Sequence, residues 1–230
     1  MNRKIKYAFV LAAAASPWAH AVTVPPGTTV ALGGTTVASE PDLAGTIVQD
    51  DTMPFTICCT NSNTGQSVSI TGFVQERVVQ AVDGYYDFYW RVFVDSTSSA
   101  SLGAPVGYFR LGNFGSLAAT YNINYRTDGL GATAPGSVHR FPGSQANFYN
   151  FNFTPSGIAP GSTSFFMFMD TDATSYGKTA FYDVTDLGQN PISATFATCG
   201  PAAVPLPGEV WLMLSGLCGL GVIARTRRAA

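Results

Sequence analysis

The sequence predicts an all-β protein, an antiparallel β-sandwich of jelly-roll type, on three observations. Short runs alternate apolar and polar residues. Clusters of Gly, Pro, Asn, Asp and Ser punctuate those runs, as tight turns require. Helical periodicity is nearly absent between the two ends of the chain. Roughly eight to eleven short strands fitted into roughly 185 residues suit a sandwich. No fixed-period repeat favours a β-helix instead.

In chain order, residues 68–79 open the series as a candidate strand. The run "YYDFYWRVFV" at 85–94 is apolar on both parities, the signature of a strand covered on both faces. Residues 106–111 follow. Residues 120–126 set Tyr121, Ile123 and Tyr125 against Asn122, Asn124 and Arg126, and 147–153 set Tyr149, Phe151 and Phe153 against Asn150 and Asn152. Both read as half-buried strands. "SFFMFM" at 164–169 is again apolar throughout, and 178–184 and 192–198 complete the set. The aromatic runs read as sandwich core rather than as a sugar platform.

The two ends of the chain carry different signals. Arg3, Lys4 and Lys6, then the apolar stretch 7–15, then Ala19 and Ala21 around His20 compose a secretory signal peptide, residues 1–21, cleaved after Ala21. One sandwich domain follows over 22–203, with its core at about 45–199. Residues 204–230 form a tail in three parts. Val204, Pro205, Leu206 and Pro207 are held extended by the two prolines. The uncharged stretch 210–224 predicts a transmembrane helix of about 22 Å, short against a hydrocarbon core of about 30 Å. Trp211 stands at its interfacial end and Arg225, Arg227 and Arg228 close it on the cytoplasmic side.

Charge and cysteine usage fit export. Between residues 22 and 207, six basic residues (Arg77, Arg91, Arg110, Arg126, Arg140 and Lys178) face thirteen acidic ones, a formal net charge of −7. Such a surface repels phosphate backbones, which excludes nucleic acid as a partner. Cys58 and Cys59 are adjacent, and Cys199 closes the last strand. In an oxidising compartment a bridge from Cys199 to Cys58 or Cys59 is expected. Adjacent cysteines lack the spacing of a zinc site, so no metal and no cofactor are expected from them.

Catalytic residue types are scarce. His139, in "PGSVHRFPG", is the one histidine left after signal removal and reads as a surface loop residue. Glu76 stands beside Arg77, where a cross-strand or local ion pair is a simpler account than a glycosidase carboxylate. Asp170 and Asp172 read as turn caps, with calcium as the alternative. No enzyme is expected.

The tail resembles the PEP-CTERM protein-sorting signal in its Val-Pro-Leu-Pro variant, over residues 204–228. The resemblance implies recognition by an exosortase, a membrane cysteine protease-transpeptidase, followed by removal of the tail. It implies a Gram-negative bacterium that makes exopolysaccharide, with a precursor held transiently in the inner membrane and a product at the cell surface or in the medium. Val204, Pro205, Leu206 and Pro207 would be the sorting motif, and Arg225, Arg227 and Arg228 its basic stop. Leu206 stands where the commoner motif has glutamate. The family shares only its tail, so the resemblance says nothing of the sandwich. The function expected is that of a non-catalytic surface or matrix protein associated with biofilm exopolysaccharide. The alternatives are a carbohydrate-binding module, calcium-assisted or not, and a permanently anchored periplasmic protein.

Overall fold

A computed structural model describes residues 20–60, 65, 67–98, 105–189 and 191–202, without the side chains of residues 59, 60, 67 and 68. Twelve strands are found among the described residues: β1 (Val22–Thr23), β2 (Thr29–Ala31), β3 (Gly45–Thr60), β4 (Ser67–Ala81), β5 (Tyr86–Val94), β6 (Val106–Gly112), β7 (Asn122–Arg126), β8 (Ser137–Arg140), β9 (Tyr149–Asn152), β10 (Phe166–Ala173), β11 (Tyr176–Asp186) and β12 (Phe196–Pro201). Pairing divides them between two six-stranded sheets, β1-β7-β10-β5-β4-β3 (sheet A) and β12-β11-β6-β9-β8-β2 (sheet B). Every named pair is antiparallel. The protein is an all-β sandwich.

Alternation decides what lies between the sheets. Phe88, Trp90 and Val92 of β5 point inward with Ile123 of β7 and Met167 and Met169 of β10, and they meet Phe109, Leu111, Tyr149, Phe151, Tyr182 and Val184 of sheet B. Trp90 is fully buried, and its indole N–H donates to Thr198 Oγ1 of β12 at 2.8 Å, which joins the two sheets by a satisfied polar contact. Glu76 also faces inward. It accepts from the Cys199 backbone N–H, and its Oε2 accepts from Lys178 Nζ at 2.9 Å. The ion pairing expected at Glu76 and Arg77 is thus formed with partners on other strands and not between the two, because neighbours on a strand point to opposite faces. Arg77 instead donates from Nε to Asp50 Oδ2 at 2.9 Å on the outer face.

A second, smaller core lies outside sheet A, where Tyr89, Phe166, Phe168 and Val79 are covered by Leu43. This explains the runs that are apolar on both parities: β5 and β10 are buried on both faces. The cover is the segment 36–44, which ends in a short 3-10 turn at Pro41–Leu43.

The sequence reading needs four corrections here. The core is wider than 45–199, since Val24, Leu32 and Leu43 are buried and β12 runs on to Pro201. β3 was not foreseen as a strand; its Asp50, Asp51 and Pro54 are tolerated because it is the outer strand of sheet A. His139 lies in strand β8, not in a loop. Asp170 and Asp172 lie within β10, not in a turn after it.

The Cys199 bridge is not formed, and Cys58 and Cys199 are both free thiols. Cys199 Sγ lies 3.5 Å from Gln49 Oε1. β3 then carries Cys58 and Cys59 roughly 30 Å further along at about 3.3 Å per residue, against the Cα separation of under about 7 Å that a bridge needs. Burial, helped by the Glu76 carboxylate, pushes the Cys199 thiol up to about 12. No helix among the described residues is long and apolar enough to cross a membrane.

Candidate functional site

The outer face of sheet B carries a polar row that crosses five strands. Asp183 of β11 stands opposite Arg110 of β6, Arg110 opposite Asn150 of β9, Asn150 opposite His139 of β8, and His139 opposite Thr29 of β2. Four interstrand steps of about 4.8 Å make this row about 19 Å long. Arg110 donates to both Asp183 oxygens, Nε to Oδ1 at 2.5 Å and Nη2 to Oδ2 at 2.8 Å, so the pair is planar and neutral overall. Thr29 Oγ1 and His139 Nδ1 share a hydrogen bond of 2.8 Å at the other end.

Aromatic rings wall one side of the row. Phe148 and Phe181 meet edge to face with centroids 5.6 Å apart, and Phe141 meets His139 in the same way at 4.9 Å. The Phe141 N–H donates to the Phe148 carbonyl at 3.1 Å, which locks two of the three rings in register. Gly112 forms the floor: a Cβ there would come within 2.4 Å of the Phe181 ring and 2.8 Å of the Phe148 ring. The rings and the Asp183–Arg110–Asn150 part of the row border a groove of about 430 Å³, to which Gln145 and Gln189 add amide groups. It is open, half apolar and lined by groups that both donate and accept. Such a surface suits a ligand with alternating hydroxyl and C–H faces, and it contains no nucleophile with an adjacent base.

Sheet A's outer face has a different chemistry. Phe166 lies between two guanidinium groups, Arg77 at 4.6 Å and Arg91 at 4.7 Å from its centroid. Arg126 is held by Asp128 through Nε (2.6 Å) and Nη2 (3.0 Å), and by the Leu43 carbonyl through Nη1 (3.3 Å). Between these groups and the 36–44 segment lies a cleft of about 350 Å³ lined by Arg77, Arg126, Tyr89, Phe166, Val37 and Leu43. Tyr89 is 4% exposed, and its buried hydroxyl makes no hydrogen bond. Burial raises its pKa and the neighbouring Arg126 opposes the shift. Arg91, 7% exposed, also leaves its buried Nε unpartnered. An unmet buried donor costs about 1–3 kcal/mol, so two in one layer ask for an acceptor.

Acidic groups gather at one end of the same sheet. Asp87 is buried, and desolvation together with the nearby Asp170 pushes its pKa up to about 8, even though its Oδ1 accepts from the Thr171 N–H at 3.1 Å. Asp170 is also raised, by burial first, against the opposing bond from Asn122 Nδ2 at 3.1 Å. Among the described residues no group of three or more His, Cys, Asp or Glu is placed to hold a metal ion.

Of the residues singled out in the sequence, Ala21 lies just before β1, with its N–H on Glu40. Ala19, Val204, Pro205, Leu206, Pro207, Arg225, Arg227, Arg228 and the 210–224 segment lie outside the described residues. The groove and the cleft were not foreseen. Their members are scattered from residue 29 to residue 189, and register alone brings them together. Comparison with protein-family models, with curated proteins and with solved structures finds no match for the chain.

Proposed function

We propose that the protein is an exported, non-catalytic matrix protein that holds exopolysaccharide in the groove of sheet B. The observation that carries the reading is the neutral polar row beneath three aromatic rings. Paired Arg and Asp, with amides alongside, offer sugar hydroxyls donors and acceptors in one plane, and the rings offer flat apolar faces to sugar C–H groups. The tail, read as an exosortase signal, accounts for delivery: a precursor held in the inner membrane through 210–224, then cleavage near Val204 to Pro207 and release to the surface.

Two measurements test this reading. A glycan array probed with the secreted chain, with and without chelator, should show neutral polysaccharide bound in both conditions; no bound glycan would refute the groove's role. Mass spectrometry of the surface form should find a C-terminus near residues 205–209. An intact "ARTRRAA" end would identify the tail as a permanent anchor.

A further inference from the structure

We propose that the cleft between the 36–44 segment and the outer face of sheet A binds a carboxylate, held by Arg77, Arg126 and the Tyr89 hydroxyl. The site lies on the opposite sheet from the glycan groove and does not depend on that reading.

The cleft is rich in donors and poor in acceptors. Arg77 makes one hydrogen bond, from Nε to Asp50, so its two Nη groups remain unspent beside the cleft. Arg126 commits Nε and both Nη atoms, but each Nη carries a second N–H. Tyr89 lines the cleft, and its buried hydroxyl, beside Arg126, donates to no acceptor. Three donors converge on one space, and the acceptors around them, Asp50, Asp128 and the Leu43 carbonyl, are already engaged.

Charge selects the ligand class. The cleft's own lining carries two guanidinium groups, Arg77 and Arg126, and no carboxylate, so the surface it presents is positive. A carboxylate supplies one negative charge and two coplanar acceptors, the match for a guanidinium edge. A phosphate dianion would bring a second negative charge next to two aspartates. The rest of the wall is apolar, from Val37, Leu43, Ile47 and Phe166, so the carboxylate should sit on a compact carbon framework. Two sources share this chemistry: the uronic acid unit of an acidic polysaccharide, and a glutamate-like carboxylate of a polypeptide.

The test is ligand-observed NMR titration of the full-length chain with glucuronate, with N-acetylglutamate and with its neutral isostere N-acetylglutamine. Glucuronate, N-acetylglutamate or both should bind, and N-acetylglutamine should not; the tighter of the two acids names the source. Arg77→Gln should weaken binding by about tenfold, and Tyr89→Phe, which removes only the unpartnered hydroxyl and so keeps the fold, by about threefold or more. Gly112→Ala, on the other sheet, should leave it unchanged. Failure of both acids to bind, equal binding of N-acetylglutamine, or full binding by Tyr89→Phe and Arg77→Gln would each overturn the proposal.

Discussion

The two outer faces of the sandwich are built from the same kind of strand and end in opposite states. Sheet A is roofed by 36–44, and beneath the roof Tyr89, Phe166 and Phe168 form a second core. Sheet B is bare, and its equivalent positions carry Asp183, Arg110, Asn150 and His139 in a row with half-exposed rings alongside. The difference teaches that a face's chemistry follows from what covers it. Once roofed, polar groups must find partners or remain in debt, as Tyr89 and Arg91 do. On the open face water meets every group until a ligand replaces it.

Unequal truncation costs are the most direct way to break this comparison. Phe168→Ala, in the roofed core, should cost about 3–5 kcal/mol in chemical denaturation, whereas Phe181→Ala on the open face should cost about 1 kcal/mol. Equal costs would mean that the roof buries nothing.

Next in size is the pH response of the roofed sheet. Asp87 titrates near 8 in the folded chain and near 3.8 in its ordinary state, so between those values the folded chain holds a proton that the unfolded chain has lost. Its contribution is therefore full below about pH 4 and is lost as pH rises through 8. Asp87→Asn should flatten the fall in stability over that window and add about 2–3 kcal/mol above pH 8. A parallel pH profile in the variant would remove Asp87 as its source.

Gly112→Ala sharpens the comparison from the open side. The new methyl would meet the Phe181 and Phe148 rings. Glycan binding should fall about tenfold or more with stability changed by about 1 kcal/mol or less. Retained binding would place the ligand elsewhere.

Thiol labelling gives the smallest effect. Exposed Cys58 should alkylate readily at pH 8, and Cys199, buried and held near 12, should stay unmodified until the chain unfolds. Early modification of Cys199 would contradict its packing.

How much of this was legible follows the same divide. β5 and β10 announced their double burial in "YYDFYWRVFV" and "SFFMFM", and β7 and β9 announced their alternation, because a buried face writes a period into the chain. β3 stayed hidden because an outer strand needs to be apolar only where it touches the core, at Phe55 and Ile57, so its remaining residues read as loop. β8 is four residues between prolines and glycines, too short for a period. The roof was missed because Val37 and Leu43 are isolated apolar residues whose role depends on the sheet below them. Neither site has a motif. Each is an adjacency between strands, and adjacency is fixed by register rather than by local sequence.

Arg140 carries the last consequence. Its guanidinium is buried and donates to main-chain carbonyls: Nε to Ala146 at 2.6 Å, Nη1 to Val24 at 3.2 Å, and Nη2 to Leu117 at 3.0 Å and Ala119 at 2.8 Å. β1 pairs with β7 and β2 with β8, so the strands that receive β1 and β2 lie about a hundred positions later in the chain. A ribosome delivers the N-terminal segment first, yet that segment has no docking place until β7 and β8 have emerged. β1 and β2, though made before the other ten strands, are thus among the last to settle, and they stay unpaired while those ten are still being synthesised.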